Sequence, residues 1–517
     1  MIENKDYKML EKCTAPNATR IFSSETCEHP LDPDVIALLN TLKSKIDDNS
    51  DDFRIFKFRE ELIDPLWKML IEKAIKCLRY YDKREPFLTQ NGNKVPKAYG
   101  IDDIKKYYDK YTDFERILYG SNRYYRDHVV HVFRTWLSGV VALVINNGTY
   151  LNKIKLHEKD INVELSKSEK LSIWTIIALT HDLGYPLQKA KSIIDTTQSM
   201  VSTFISNPDI SMDFSFRGVQ NYMNDFIVRL MSSKMIKSKA VKQNTGRKIQ
   251  MYVARLQPKY YFKFQKSLEE NQHGILSTLI IYKLLTYFLE SDFNINEDYH
   301  FDPEDSRQFY IRREILRSIA SHTCDDVYQL YMTSFSFLLR ICDDTQEWGR
   351  KNISELYVKS SKEYNLKDIA LTFDNTNQLY TCIVDEEFIL SDEPDSVISL
   401  LNRLREQSLV YVTIFRDGQD TALRDFSFER KLSIKYSEIT LTLILKIPKD
   451  NASELVGTIQ YVSDGDDNEK FGLEFFQRIK DFDNDAGLYI ISRNGGTADL
   501  ENFADWKTGT FAILLSK

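Results

Sequence analysis

Residues 174–186 read WTIIALTHDLGYP, an apolar run that ends at His181 and Asp182 and then breaks at Gly184 and Pro186. Such a run predicts a buried helix, because apolar side chains are favoured out of water. Glycine and proline then turn the chain. An imidazole and a carboxylate on adjacent residues offer a metal ion two ligands from one stretch of backbone. The stretch therefore predicts the centre of a metal-binding domain.

Four further stretches carry the same kinds of side chain and lie inside or beside apolar helical patterns. They are RDHVVHVF at 126–133, HGILS at 273–277, SHT at 321–323 and CDDTQEWGR at 342–350. A lone His-Asp pair arises often by chance, whereas ordered elements at long range are more specific. With the first stretch included, the ligand order is His, His-Asp, His, His, Asp.

Two of these stretches leave the ligand undecided. His128 and His131 are three residues apart on one helical face, so either or both can point at the same site. Residues 327–350 are predicted to form one long apolar helix that carries Asp343. Asp344 lies about 100° away around that helix, so only one of the two aspartates can face the site.

The order of these motifs resembles the HD superfamily of metal-dependent phosphohydrolases. The likeness covers roughly residues 115–355, and the chain looks most like bacterial HD-domain proteins with the elements RDHxxHxF, HDxGYP, HGxxS and CDxxxxWGR. The resemblance implies a mainly α, HD-type helical metal domain. It also implies ligands for one ion, or for two ions with a bridging Asp182, and these are His131, His181, Asp182, Asp343, His273 and His322.

Imidazole and carboxylate ligands suit Mn, Mg, Fe, Co or Zn, so ligand type does not decide which divalent metal is bound. We expect one or two such ions. Such an ion polarises a phosphoryl oxygen and lowers the pKa of a coordinated water. The expected catalytic residues are Asp182, Arg126, and His128 as a proton donor to the leaving group. The candidates to hold phosphate or contact the substrate are Arg123, Arg126, Tyr185 and Lys189.

Composition favours a soluble, cytoplasmic protein. The 517 residues are 42% hydrophobic and 28% charged, with a net charge of −7, as in ordinary globular domains. Six cysteines without a CxxC pair indicate reduced thiols. The first residues lack a signal-peptide core, and no run reaches the roughly 18–20 apolar residues of a membrane helix, so no membrane partner is expected.

The charge is unevenly distributed. Residues 226–268, the basic segment, contain eleven Lys or Arg and no Asp or Glu. We expect either a solvated helix or loop face, or a positive rim that attracts a polyphosphate or a nucleic-acid strand. Aromatic residues interleave with the lysines and would suit base stacking; they are Tyr260, Tyr261, Phe262 and Phe264.

The sequence pattern divides the chain into three parts. Residues 1–115 are predicted as a helical N-terminal region, residues 116–360 as the metal domain, and residues 365–517 as an α+β domain with a mainly antiparallel sheet. Short β-branched runs between turns such as DGQD and RNGG indicate the strands, and helical patterns at 393–407 and 467–481 interrupt them. The last part has no catalytic spacing, which favours regulation or interaction.

The leading hypothesis is hydrolysis of a nucleotide, with a dNTP or NTP as substrate because the basic segment suits a polyphosphate. A regulatory ligand or protein partner at the C-terminal domain, a homo-oligomer, and nucleotide depletion in a stress or antiviral defence are compatible with this layout. Two alternatives stay open. One is a di-iron HD-type oxygenase with the same ligand order, and the other is a nucleic-acid-binding or scaffold protein with a vestigial site.

Overall fold

The computed structural model describes most of the first 350 residues and the strands of the C-terminal part. The described residues are 5–25, 28–46, 62–78, 101–121, 126–156, 163–204, 219–242, 246, 248–284, 300–324, 331, 333–346, 348 and 350, together with the strands β3 to β9 given below. For those strands only the backbone is described.

The described residues up to 350 are mainly helical, in agreement with the sequence prediction. The helices are α1 Lys5–Thr14, α2 Pro16–Arg20, α3 Pro33–Ile46, α4 Asp64–Leu78, α5 Ile101–Ser121, α6 Val129–Lys153, α7 Lys167–Thr180, α8 Tyr185–Phe204, α9 Val219–Ser232, α10 Pro258–Glu269, α11 His273–Leu284, α12 Pro303–Ser321 and α13 Phe335–Asp344. The strands β1 Ser233–Lys242 and β2 Lys248–Leu256 lie between α9 and α10.

Helices α6 and α7 form the centre of the core. Residues 129–144 of α6 are all buried. A Cβ on Gly139 would lie 2.0 Å from the ring of Trp174, so glycine permits the close packing of the two helices. Trp174 Nε1 donates to the Trp136 carbonyl at 3.0 Å, and Trp136 Nε1 donates to Thr175 Oγ1 at 3.0 Å. The two helices that carry His131 and His181 are thereby fixed to each other.

The N-terminal helices pack on this centre. Trp67 of α4 donates its indole N–H to the Leu179 carbonyl at 3.0 Å, and Asp6 of α1 accepts two hydrogen bonds from Arg134 of α6. Their buried apolar residues form one cluster with those of α6 and α7. The predicted boundary at residue 115 falls within α5, and the division into three domains stays a prediction.

Capping residues set several helix ends. Ser166 and Glu169 form a capping box at the start of α7, and the Asp302 side chain accepts from the Asp305 N–H at the start of α12. The helix predicted over 327–350 is wrong at both ends, since the described residues 331, 333 and 334 before α13 are not helical either. Helix α13 begins after Ser334 and ends at Asp344, because the residues that follow are held by contacts with distant helices.

The basic segment contains an antiparallel β-hairpin, whereas a helix or loop was expected. Strand β1 pairs with β2 from Ser233↔Leu256 to Lys242↔Lys248, with an irregularity between Lys237 and Ala240. Gly246, with φ +81°, lies in the connection, where its positive φ favours glycine. Burial alternates at the start of β1, where Ser233 and Met235 are buried and the residue after each is partly exposed, and residues 239–242 are exposed. A period of two is that of a strand, which here runs from the core into solvent.

The C-terminal part contains a seven-stranded sheet. Its strands are β3 Lys362–Asp374, β4 Leu379–Leu390, β5 Phe426–Tyr436, β6 Ile439–Lys446, β7 Val456–Ser463, β8 Tyr489–Arg493 and β9 Thr508–Leu514. The order is β3-β4-β5-β6-β7-β9-β8; β4 and β5 pair parallel and the other neighbours pair antiparallel. The predicted mainly antiparallel pairing is therefore confirmed, while the helical patterns at 393–407 and 467–481 lie outside the described residues.

One helix among the described residues, α6, is long and apolar enough to cross a membrane by length and composition. In its most apolar window, 89% of the residues are buried inside the protein. The core helix of a soluble protein has the same properties, so this helix does not decide the localisation.

Candidate metal centre

Helix ends bring the histidines and carboxylates to one place. His181 is the C-cap of α7, His322 is the C-cap of α12, and His273 is the first residue of α11. His131 lies in the first turns of α6, and Asp343 lies in the last turn of α13. Since the backbone of a helix end does not enclose the side chain on both sides, five helices can contribute to one site without steric conflict.

A first group of ligand atoms surrounds one oxygen of Asp182. Nε2 of His131 lies 2.9 Å from Asp343 Oδ1 and 3.6 Å from Asp182 Oδ2. Nε2 of His181 lies 3.5 Å from Asp182 Oδ2 and 3.6 Å from Asp343 Oδ1. Two imidazoles and two carboxylates therefore share one small volume, and both histidines are buried.

The other oxygen of Asp182 faces the two remaining histidines. Asp182 Oδ1 lies 3.2 Å from His273 Nε2 and 3.6 Å from His322 Nε2. These two nitrogens are 3.1 Å apart. The carboxylate of Asp182 thus lies between two pairs of imidazoles, with one pair at each oxygen.

The spacing of these atoms suits metal coordination. With metal–ligand bonds of about 2.0–2.1 Å, neighbouring ligand atoms around one ion are about 3.0–3.4 Å apart. The separations above run from 2.9 to 3.6 Å. Nε2 of His181 is buried and makes no hydrogen bond with the residues that the structure describes. An ion would satisfy it, and two His/Asp groups that include His181 could bind a metal: His131, His181 and Asp343, and His181, Asp182 and His322.

Each histidine of the cluster is oriented through its other ring nitrogen. Nδ1 is bonded to Gln346 Oε1 in His131, to the Ala178 carbonyl (2.8 Å) in His181, to Gln188 Oε1 (2.8 Å) in His273 and to the Ile319 carbonyl (2.5 Å) in His322. Donation from Nδ1–H selects the tautomer whose Nε2 carries the lone pair that a metal needs. The orientation of all four rings therefore matches their use as ligands.

The carboxylates of the cluster are held in the charged form. Although burial opposes ionisation, the nearby His181 and hydrogen bonds from the histidines on its other side hold the pKa of Asp182 well below its usual value. His131 and His181 lower the pKa of Asp343, again against burial. Burial lowers the pKa of His131 to about 4, whereas the pKa of His181 is raised to about 9 because the two carboxylates outweigh its burial. Two buried negative charges favour a cation.

The turn after Asp182 packs closely on helix α11. Ser277 Oγ donates to the His181 carbonyl at 2.6 Å and accepts the Gly184 N–H at 2.7 Å. A Cβ on Gly184 would lie 2.4 Å from the His273 carbonyl oxygen and 2.5 Å from the Ser277 nitrogen. Glycine therefore permits the approach that brings His273 next to Asp182.

His131 lies in the cluster, and His128 lies beside it. The ring centroids of the two histidines are 6.4 Å apart. Buried Glu115 places Oε1 3.4 Å from His128 Nδ1, and its Oε2 accepts the His128 backbone N–H at 3.1 Å. The His128 ring stacks on Tyr185 with centroids 3.9 Å apart, and Lys189 Nζ lies 5.0 Å from the same tyrosine ring. Three predicted site residues thus stand together at the edge of the cluster.

Asp343 faces the cluster, and Asp344 does not. Asp344 Oδ2 accepts a hydrogen bond from Arg340 Nε at 3.1 Å, one helical turn earlier. Arg340 also donates to the carbonyl oxygen of His322. The second aspartate therefore pairs within its own helix, outside the cluster, as the 100° offset allowed.

Two arginines lie at the edge of the cluster. Arg126 Nε donates to the Arg350 carbonyl at 2.9 Å. Burial, and then the charge of Arg126, lowers the pKa of Arg350 to about 10, while Asp182 and Asp343 act in the opposite direction. Both arginines therefore interact with each other, and Arg350 interacts with both carboxylates. Arg123, the third predicted arginine, lies outside the described residues.

The aromatic residues of the basic segment are mostly engaged within the protein. The rings of Tyr260 and Tyr261 contact arginines at 4.8 and 5.5 Å from their centroids. Phe264 is buried, and Phe262 is 68% exposed. Of the four rings considered for base stacking, Phe262 is the one that faces solvent, and a nucleic-acid partner stays a prediction.

Sequence reasoning found the six candidate ligands and missed the residues that orient them. Gln188 and Gln346 bond two of the histidines, Glu115 contacts His128, and Arg350 adds a charge near the carboxylates. The one available signal was position, because Gln346 and Arg350 stand inside CDDTQEWGR. Comparisons with protein-family models, with curated proteins and with solved structures found no match.

Proposed function

We propose that this chain is an HD-type metal-dependent phosphohydrolase that acts on a nucleotide, with dNTPs or NTPs as the substrate class. One observation carries the proposal. The Asp182 carboxylate lies between two pairs of histidines, with Oδ1 near His273 and His322 and Oδ2 near His131 and His181. A carboxylate that bridges two ions is used in two-metal hydrolytic sites.

The residues divide naturally between two ions. His131, His181, Asp343 and one oxygen of Asp182 would hold the first, and the other oxygen of Asp182 with two histidines would hold the second; those two are His273 and His322. Divalent ions held there polarise a phosphoryl oxygen and lower the pKa of a coordinated water. Mn, Fe, Co, Zn and Mg all suit such a ligand set to differing degrees.

Residues at the edge of the cluster supply the other requirements of hydrolysis. His128, held by the buried Glu115 carboxylate at 3.4 Å, is placed to donate a proton to the leaving group. Glu115 also accepts the His128 backbone N–H at 3.1 Å, so the carboxylate is held beside this histidine. Lys189 and Arg126 add positive charge that would hold phosphate groups, and Tyr185 stacks on His128. These side chains would bind the phosphate groups, orient the substrate and donate a proton to the leaving group beside the ions.

A nucleotide panel tests the proposal. Purified protein with Mn²⁺ is incubated with each dNTP and NTP, and release of phosphate, pyrophosphate and triphosphate is measured. We expect release of one of these from at least one nucleotide, and loss of that release in Asp182→Asn. Asp344→Asn is the matched control, because Asp344 pairs with Arg340 outside the cluster. Absence of release from every nucleotide would contradict the proposal.

A di-iron oxygenase is the second candidate, because imidazoles at both oxygens of the Asp182 carboxylate also suit two irons. Iron loading followed by oxygen-uptake measurements and electron paramagnetic resonance discriminates the two. A mixed-valent iron signal with oxygen uptake would favour the oxygenase. Nucleotide hydrolysis that depends on Asp182 would exclude it.

A further inference from the structure

The segment that follows Asp343 leads away from the metal centre and is held by distant residues. The Gln346 N–H donates to the Asp343 carbonyl at 3.1 Å, and the Gln346 side chain bonds His131 on one side and the Trp348 carbonyl, at 2.9 Å, on the other. Trp348 is buried and donates its indole N–H to Asp6 at 2.9 Å. Arg350 follows two residues after this anchored tryptophan, and its carbonyl accepts a hydrogen bond from Arg126 at 2.9 Å.

The Arg350 side chain lacks a complete set of partners. Its Nε is buried and makes no hydrogen bond with the part of the chain that the structure describes. A buried N–H without an acceptor destabilises the folded state. Proteins retain such a group where a ligand satisfies it, and a planar guanidinium fits a carboxylate or a phosphate with two parallel hydrogen bonds. The orphaned donor therefore points to an oxyanion.

The charges at the site indicate that the affinity for this oxyanion depends on whether metal ions are bound. Arg350 interacts with the carboxylates of Asp182 and Asp343, which oppose the repulsion from Arg126. A first divalent ion at the cluster neutralises the two carboxylates, and a second adds two positive charges. The charges of Arg126 and Arg350 are then no longer balanced by these two aspartates. Metal binding should consequently raise the affinity of this place for an anion.

We propose that Arg350, together with Arg126, forms an oxyanion subsite that binds a phosphoryl group of the substrate beside the metal centre. Arg126 was expected to hold phosphate, and Arg350 is the new member of the site. The Arg126 Nε donates to the Arg350 carbonyl at 2.9 Å, so the Arg126 guanidinium is held against the backbone of Arg350. Because this subsite rests on the proposed phosphohydrolase function, its test measures binding rather than turnover.

The test is a calorimetric titration of inorganic phosphate into the full chain loaded with Mn²⁺. Three variants are compared with the wild type: Arg350→Met, Arg350→Lys and Arg307→Met. Arg307 is the matched control, since it pairs with Glu169 at 2.5 Å and is an arginine of similar exposure outside the site. Adenosine, which has no phosphate, is the second probe, and metal content per chain is measured for every variant.

We expect Arg350→Met to retain its metal and to bind phosphate at least about tenfold more weakly, the effect of losing one charge-assisted pair. Arg350→Lys should keep the charge but lose the two-pronged geometry, and bind with intermediate affinity. Arg307→Met should match the wild type, and adenosine binding should not change in any variant. Wild-type metal-stripped protein should bind phosphate more weakly than the loaded protein.

Wild-type phosphate affinity in metal-loaded Arg350→Met would overturn the proposal. Loss of metal from both Arg350 variants would overturn it too, because Arg350 would then support the metal centre instead of binding an anion. If Arg350→Met alone loses metal, the phosphate affinity of metal-loaded Arg350→Lys decides, and a wild-type affinity would overturn the proposal. If phosphate binding depends on Arg350 but no nucleotide is hydrolysed, the subsite stands and the proposed function is refuted. If a nucleotide is hydrolysed but Arg350→Met binds phosphate as the wild type does, the proposed function stands and the subsite is refuted.

Discussion

Removing the carboxylate of Asp6 tests how the N-terminal helix supports the metal centre. Asp6 accepts hydrogen bonds from Arg134 Nε at 3.0 Å, from Arg134 Nη2 at 2.7 Å and from Trp348 Nε1 at 2.9 Å. Arg134 also donates to the Trp348 carbonyl at 3.0 Å. Trp348 in turn accepts from Gln346, which bonds the metal-ligand candidate His131. A single carboxylate thus connects the first helix to the cluster.

The expected loss of unfolding free energy follows from the burial of the Asp6–Arg134 pair. The side chains of Arg134 and Asp6 are 11% and 18% exposed, so their pair is screened little by solvent. Breaking a buried pair by removing one partner costs about 3–5 kcal/mol. Arg134 keeps its bond to the Trp348 carbonyl, so we expect Asp6→Ala to lower the free energy of unfolding by about 3 kcal/mol. Because Trp348 loses its bond to Asp6 and its carbonyl holds Gln346, the support of His131 is weakened as well, and metal affinity should fall about tenfold.

Urea unfolding followed by tryptophan fluorescence measures the first effect, and calorimetric titration with Mn²⁺ measures the second. Asp225→Ala is the matched control. Asp225 also pairs with an arginine and a hydroxyl, Arg229 at 2.7 Å and Tyr261 at 2.6 Å, but the charged pair is 35–49% exposed. Its loss should cost about 1 kcal/mol or less and leave metal affinity unchanged. Equal effects of the two substitutions on both measurements would refute the reasoning.

Four further substitutions probe other parts of the structure. Asp343→Asn should abolish binding of the first ion in a Mn²⁺ titration, and Asp344→Asn should not; equal affinities would reverse their assignment. Gly184→Ala should force the turn away from the His273 carbonyl, lower the free energy of unfolding by about 1–3 kcal/mol and reduce bound metal from two ions to one. Burial, and then a neighbouring lysine, lowers the pKa of Lys170 to about 8 from 10.5. The unfolded chain therefore binds more protons in that window, so the stability of the wild type relative to Lys170→Met should rise from pH 8 to 10.5 by up to about 3 kcal/mol, and a flat difference would contradict this.

The candidate ligands could be predicted because each is marked by local sequence. An ionisable residue that ends an apolar helix, such as His181, needs a partner, and the order of such residues restricts what the partner is. The choice between His128 and His131 required the start of the helix at Val129, which leaves His128 outside as the N-cap. The choice of Asp343 over Asp344 required the rotation of α13 and its pair with Arg340.

The supporting contacts could not be predicted, because they join residues far apart in sequence. Gln346 contacts a histidine 215 positions earlier, and Trp348 contacts Asp6 across 342 positions. Neither residue belongs to a periodic pattern. The same tertiary contacts end α13 at Asp344, although the helix was predicted to continue to residue 350, since they fix the following backbone in a non-helical path.

The central claim is that side chains from five helices converge to hold metal ions. The most direct measurement is an anomalous difference map, at a wavelength near the manganese absorption edge, from crystals of the chain grown with Mn²⁺. We expect two peaks, one within bonding distance of each oxygen of Asp182, with His131, His181 and Asp343 around one and His273 and His322 around the other. A map without a peak in contact with Asp182 would contradict the account.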